Sequence, residues 1–229
     1  MGSLLELFLD GTALKELTSP IQHLSGLVLL NLRECKSLAI LPHSICKLKS
    51  LQTLIPSGCS KLDNLPEVRG AYKAFATASF FGLRSLRKLN LSDCRILEGP
   101  IPNDFSSLCS LEYLDLSRNN FVNLPASLNQ LSQLKGLRLG YCKRLQSLPE
   151  LPSSIEEIDA HDCTVMENIL CPSSVYRSKE CGGLRFTFSN CFRLSENESS
   201  NFVAATLNQI TCGLGINNSS PRINISEVI

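Results

Sequence analysis

Leucines recur along this chain at a spacing that fits neither a lone helix nor a lone strand. From residue 111 the order is Leu111-Glu-Tyr-Leu114-Asp-Leu116-Ser-Arg-Asn119-Asn-Phe121-Val-Asn-Leu124-Pro125-Ala-Ser-Leu128-Asn-Gln-Leu131. That is L-x-x-L-x-L-x-x-N-x-F-x-x-L-P-x-x-L-x-x-L, one full leucine-rich repeat. Units open at Leu4, Leu27, Leu51, Leu86, Leu111, Leu134 and, in a degenerate seventh, Ile155. The intervals are 23, 24, 35, 25, 23 and 21 residues, so five of six fall within the ~20–29 residues such repeats use. The sixth position of each unit is apolar, with Pro56 breaking the pattern in the third. A single unit cannot bury its own hydrophobic face, so the units must stack and share a parallel ladder.

The predicted fold is therefore α/β: a leucine-rich-repeat solenoid with a curved parallel sheet and short helices, 3₁₀ turns and loops on its convex side. It occupies residues 1–164, and residues 165–229 form a partial β-rich module. Leu27–Leu32 and Leu51–Leu54 are strands, and Leu41-Pro42 and Leu65-Pro66 begin return paths. Ser44–Leu48 reads as a short helix or 3₁₀ turn. The long interval after Leu51 holds an insertion near residues 67–82. There Ala71–Phe81 has helical spacing, with a decayed repeat as the rival reading. Two prolines in Leu148–Ser154 enforce an extended crossing. Past Val165 the repeat is lost; Leu184-Arg-Phe186-Thr-Phe188 alternates like a strand, and Asn201–Ile210 reads as an amphipathic helix. The first unit starts at once with its strand, and solenoids carry capping ends. The chain is thus expected to be an internal piece of a longer protein, stopping at Ile229 within its second module.

Composition narrows the setting. With 43% hydrophobic residues, 19% charged residues and a net charge of +1, the chain is globular and has no electrostatic pull toward nucleic acid or an acidic membrane. No apolar run is long enough to span a bilayer, and the start lacks a basic leader segment, so the expected place is the cytoplasm or the nucleus. Five of the eleven cysteines (Cys35, Cys59, Cys94, Cys142 and Cys163) share the ninth repeat position with Asn119 and Thr12. Registration to the repeat explains them as reduced structural thiols that bond turn backbone, although adjacent strands would bring Cys35 and Cys59 to disulfide reach. No C-x-x-C pair or paired histidine spacing points to a metal.

The candidate site is the concave face, which exposes the x positions of each strand. Lys88, Asn90, Tyr113, Asp115, Arg138, Tyr141, Asp159 and His161 form its expected partner-binding patch. The mixture of acid, base, amide and aromatic suits a protein partner better than a phosphate backbone. Asp159, His161 and Asp162 invite an acid–base reading, but neither a nucleophile nor a pocket is implied beside them. There is no phosphate-binding loop. The expectation is a non-enzyme without cofactor, metal or catalytic residues. Five N-x-S/T matches (Asn90, Asn197, Asn217, Asn218 and Asn224) lack a secretory signal and read as chance.

Asp10-Gly-Thr-Ala, Leu30-Asn-Leu-Arg-Glu-Cys35, Ser57-Gly-Cys-Ser-Lys-Leu62, Tyr113-Leu-Asp-Leu-Ser-Arg-Asn-Asn-Phe121 and Leu148-Pro-Glu-Leu-Pro-Ser-Ser-Ile-Glu-Glu-Ile158 resemble the repeats of plant intracellular immune receptors. Those receptors join an N-terminal TIR domain, a nucleotide-binding domain and C-terminal leucine-rich repeats. Leu97-Glu-Gly-Pro-Ile101-Pro102 is similar to a plant repeat turn, and Phe188-Ser-Asn-Cys-Phe-Arg-Leu194 to the start of C-JID, the jelly-roll module that follows such repeats. The resemblance implies a disease-resistance role in innate immunity: sensing a pathogen effector, or engaging other domains of the parent receptor. The TIR and nucleotide-binding regions have no counterpart here, so an NAD-hydrolysing activity inherited from them finds no residues in this chain. An extracellular receptor-like repeat protein that binds a peptide or protein ligand is the alternative, and it would account for the N-x-S/T matches.

Overall fold

Each repeat contributes a three-residue strand, because only the short x-L-x stretch can pair with its neighbours before the chain must turn. In the computed structural model, residues 4–62, 82–96, 107–169 and 185–194 are described, together with the backbone of 222–224. The strands of the main sheet are β1 (Glu6–Phe8), β2 (Leu29–Asn31), β3 (Thr53–Ile55), β4 (Lys88–Asn90), β5 (Tyr113–Asp115), β6 (Gly136–Arg138), β8 (Glu157–Asp159), β10 (Arg185–Thr187) and β11 (Arg222–Asn224). They pair in that order, all parallel. Two further short strands, β7 (Ser147–Leu148) and β9 (Asn168–Ile169), pair with each other on the return side.

The fourth and sixth positions of the units fill one continuous core, which includes Leu30, Leu32, Leu54, Leu89, Leu91, Leu114, Leu116, Leu137, Leu139 and Ile158. Alternation puts the third and fifth positions on the opposite, open face. Leu-Pro steps lead into 3₁₀ turns at His43–Lys47 and Ala126–Gln130, which bury Ile45 and Leu128. Proline suits that entry because its fixed φ continues into the turn. The first of these spans agrees with the turn expected at Ser44–Leu48. The expected helices at Ala71–Phe81 and Asn201–Ile210 and the turn at Leu97–Pro102 lie outside the described residues.

Two regularities close every unit. The eighth residue has positive φ in all eight described units: Gly11 (67°), Glu34 (57°), Gly58 (75°), Asp93 (53°), Arg118 (59°), Tyr141 (62°), Asp162 (58°) and Asn190 (60°). This left-handed step aims its N–H at the seventh carbonyl of the next unit, as in Gly11 to Arg33 (2.7 Å), Arg118 to Gly140 (2.9 Å) and Asp162 to Ser189 (2.8 Å). The ninth side chain then reaches back to the sixth carbonyl of the unit before. Cys35 donates to Leu9 (3.0 Å), Cys59 to Leu32 (3.1 Å), Cys94 to Pro56 (3.2 Å), Cys142 to Leu116 (3.3 Å), Cys163 to Leu139 (3.2 Å) and Cys191 to Ala160 (3.1 Å). Asn119 does more. Its Nδ2 donates to Leu91 O (2.9 Å) and Leu116 O (2.8 Å), while its Oδ1 accepts from the Cys94 and Ile96 N–H groups.

Two details depart from the expected register. The sheet runs on past residue 164, for β10 pairs Phe186 with Ile158 and places Cys191 on the thiol ladder. This eighth unit is hard to see in the sequence because Gly183 stands where an opening leucine belongs, 28 residues after Ile155 (183 − 155). Pro56, by contrast, keeps the buried sixth place but has no N–H. Elsewhere that N–H bonds the fifth carbonyl of the next unit, as in Leu32 to Ile55 and Leu91 to Asp115 (2.8 Å each). The β3–β4 pairing accordingly has two residue pairs instead of three.

The ladder generates two tests. Asn119→Ala would leave the Leu91 carbonyl and the Cys94 and Ile96 N–H groups without this partner, while the Leu116 carbonyl keeps Cys142, and should cost about 3 kcal/mol in denaturant unfolding. Asn119→Cys, which can still serve the Leu91 carbonyl as its counterparts do, should cost less. Burial is the main reason that the Cys59, Cys94 and Cys142 thiols are pushed up from 9.0 to about 12. A group whose pKa is raised on folding stabilises the fold below its unfolded value and loses that contribution as pH climbs toward the folded one. Stability should therefore fall between about pH 9 and 12. At pH 8 a thiol reagent should modify the exposed Cys109 and leave these three unreacted until the chain is denatured.

Candidate functional site

The open face between β4 and β10 collects the residues singled out in the sequence, and it sorts them into two groups. Asn90, Asp115 and Asp159 all stand at the fifth position and are half-buried. Each turns its side-chain oxygen to the N–H two residues on: Asn90 to Ser92 (2.9 Å), Asp115 to Ser117 (3.0 Å) and Asp159 to His161 (3.3 Å). Asn31 does the same for Arg33. These are Asx turns, in which a short polar side chain substitutes for backbone at the end of a strand. Their first task is to finish the strand.

Lys88, Tyr113, Arg138 and Tyr141 are exposed instead. Lys88 and Tyr113 are at the third position of adjacent strands, and the Lys88 ammonium stands 5.6 Å from the Tyr113 ring centroid. Arg138 projects from the end of β6, its Nη2 4.0 Å from Glu157 Oε1. Tyr141 lies outside the strand rows, in the left-handed residue of the sixth unit. There its ring meets His161 edge-on, with centroids 4.8 Å apart and planes at 82°. His161 is half-buried, and its Nδ1 lies 2.5 Å from Asp159 Oδ1.

Four participants carry no obvious signal in the sequence. The Arg118 guanidinium covers the Tyr141 ring at 4.4 Å from its centroid; both are eighth-position residues, which the strand pattern alone does not bring together. Arg185 joins the face from β10, with Nη1 4.0 Å from the same Glu157 oxygen that Arg138 approaches. Gly136 and Gly140 matter through what they lack, because the Tyr113 and His161 rings occupy the space their side chains would need. The aromatic side chains are thus held by cations and by each other, on a floor cleared for them.

Among the described residues no group of three or more His, Cys, Asp or Glu is placed to hold a metal ion, and no helix is long and apolar enough to cross a membrane. The His161 ring bonds only Asp159 among the described residues, with neither a hydroxyl nor a thiol joining the pair.

A parallel ladder of leucine-lined turns with an exposed, chemically mixed face defines a leucine-rich-repeat protein. The comparisons with known proteins make that class specific: the leucine-rich repeats of RPS4B-like disease resistance proteins match residues 1–192, and the chain belongs to that family. The disease resistance-like protein DSC1 of Arabidopsis thaliana is 35% identical over 86% of this chain, and the disease resistance protein RPS4B of the same plant is 37% identical over 83%. The TMV resistance protein N of Nicotiana glutinosa is 37% identical over 69%. These relatives are plant resistance proteins of the TIR-NB-LRR kind. The matched segments span 19%, 15% and 17% of their respective lengths.

One substitution pair separates strand-ending from contact. Asp115→Asn keeps an oxygen for the Ser117 N–H and should leave stability within ~0.5 kcal/mol, whereas Asp115→Ala should lose about 1 kcal/mol by urea titration.

Proposed function

We propose that this chain is the recognition part of a plant innate-immune receptor, and that it works by binding protein without catalysis. Its partner is a pathogen effector or another domain of the parent receptor. The contact surface is the concave, open face of the sheet at Lys88, Asn90, Tyr113, Asp115, Arg138, Tyr141, Asp159 and His161, continued by the region after Cys181. On this reading the repeat units pass into a module like the start of C-JID toward the end of the chain, and the setting is the cytoplasm or the nucleus.

One observation carries the proposal. Two exposed tyrosines and an exposed arginine stand on adjacent units, the rings braced by Lys88, Arg118 and His161. Tyrosine and arginine are the side chains that most often anchor protein interfaces. Bracing lowers the entropy lost when they bind. The belonging of the chain to the repeats of disease resistance proteins supports the immune setting.

The test uses two double variants. Against any effector protein captured by the wild-type chain, Tyr113→Ala with Arg138→Ala should raise Kd about thirtyfold, ~2 kcal/mol. Its thermal midpoint should stay put because both side chains face solvent. Glu6→Ala with Phe8→Ala, at the other end of the sheet, should change Kd little. Loss of affinity from the second pair but not from the first would place the contact elsewhere and overturn the proposal.

A further inference from the structure

On the segment 136–140 every second residue faces the open side: Gly136, Arg138 and Gly140. A Cβ added at Gly136 would lie 2.7 Å from Tyr113 Cδ1, and one added at Gly140 would lie 2.3 Å from His161 Cε1. The two rings therefore rest where β6 and the residues just past it have no side chains. Tyr113 lies on β5 and His161 just past the end of β8, the two strands that flank β6, and Arg138 stands between the two glycines.

The charges around Arg138 are unevenly matched. Its side chain is 60% exposed, and Glu157 Oε1, 4.0 Å away, is at the outer limit of an ion pair. That same oxygen lies 4.0 Å from Arg185 Nη1, whose side chain is 64% exposed. One carboxylate thus stands between two guanidinium groups. Asp115 and Asp159 face Arg138 in register from the two flanking strands. Both are turned to backbone N–H groups, Asp159 also to the His161 ring, and neither forms an ion pair with Arg138 among the described residues. Lys88 stands farther along the row, over Tyr113. Among the described residues most of the donors on the two arginines have no acceptor.

The geometry points to a carboxylate seat. Arg138 and Arg185, spaced by Glu157, take an aspartate or glutamate side chain of a protein partner. The Tyr113 and His161 rings, set in place by Gly136 and Gly140, pack against the apolar residue beside it. A guanidinium meets a carboxylate through two parallel N–H bonds, a geometry that lysine cannot reproduce. Walls of aromatic carbon keep water from the pair and strengthen it. This inference rests on the reading of the face as a protein-binding surface.

Random dodecapeptides displayed on phage and panned against the full chain provide the test. Enriched peptides should carry an acidic residue beside an apolar one. Their synthetic versions should bind Arg138→Gln and Arg185→Gln about tenfold more weakly or worse. Gly136→Ala, which displaces the Tyr113 ring and touches neither arginine, should weaken them by a smaller factor, about threefold. All three variants should melt with the wild type. Peptides that need Tyr113 but lack an acid, and bind Arg138→Gln as tightly as wild type, overturn the carboxylate seat and leave the protein-binding reading standing. Unchanged binding to Gly136→Ala overturns the part assigned to the glycine. No enrichment on wild type beyond that on the Tyr113→Ala, Arg138→Ala variant removes both readings.

Discussion

Every unit of this solenoid must solve the same problem: a strand ends, and its last inward-facing residue leaves a carbonyl that the strand ladder does not serve. The solution is a left-handed residue followed at once by a donor that reaches back to the preceding unit. This pair of steps fixes both the turn within a repeat and the stacking between repeats. A left-handed conformation costs an ordinary L-residue about 1–2 kcal/mol, and six of the eight described units accept that cost with a side chain present. Asparagine supplies the donor best, because its amide can give two hydrogen bonds and accept others. The thiol is a weaker substitute used six times over. At Cys59, Cys94 and Cys142 burial holds the proton in place, so these three weak donors remain donors at any physiological pH.

Once the backbone is fixed in this way, the open face inherits its layout. Fifth-position Asn and Asp serve Asx turns first, and the side chains that the turns do not use stand free beside them. Among these, aromatic rings and cations gather on the fourth to eighth units. Gly136 and Gly140, in β6 and just past it, fit the same layout: a backbone that yields its own side-chain space lets its neighbours lie across it.

Much of this was legible in the residues. The leucine register locates the main-sheet strands β1 to β6 and β8 and the core beneath them, and the shared ninth position of five cysteines marks the ladder in the sequence itself. The direction of the thiol bonds, to the previous unit and not to the local turn alone, is a property of stacking and has no trace in a single repeat. The unit around Phe186 was hidden because its signature starts with glycine, although Phe186-x-Phe188-x-x-Cys191 keeps the fourth, sixth and ninth places. Among the site residues, pairings along a row followed from the spacing. The contact of Arg118 with Tyr141 did not, for it depends on two left-handed residues that strand alternation does not describe.

The proline at the sixth place of the third unit has a consequence for how the array holds together. In a linear stack, each turn is coupled only to its neighbours, so cooperativity is no stronger than the poorest junction. A missing amide between β3 and β4 makes that junction a fault line. By that rule an opening on one side of the junction should pass less readily to the other. Tyr113, Arg138 and His161 all lie on one side of it.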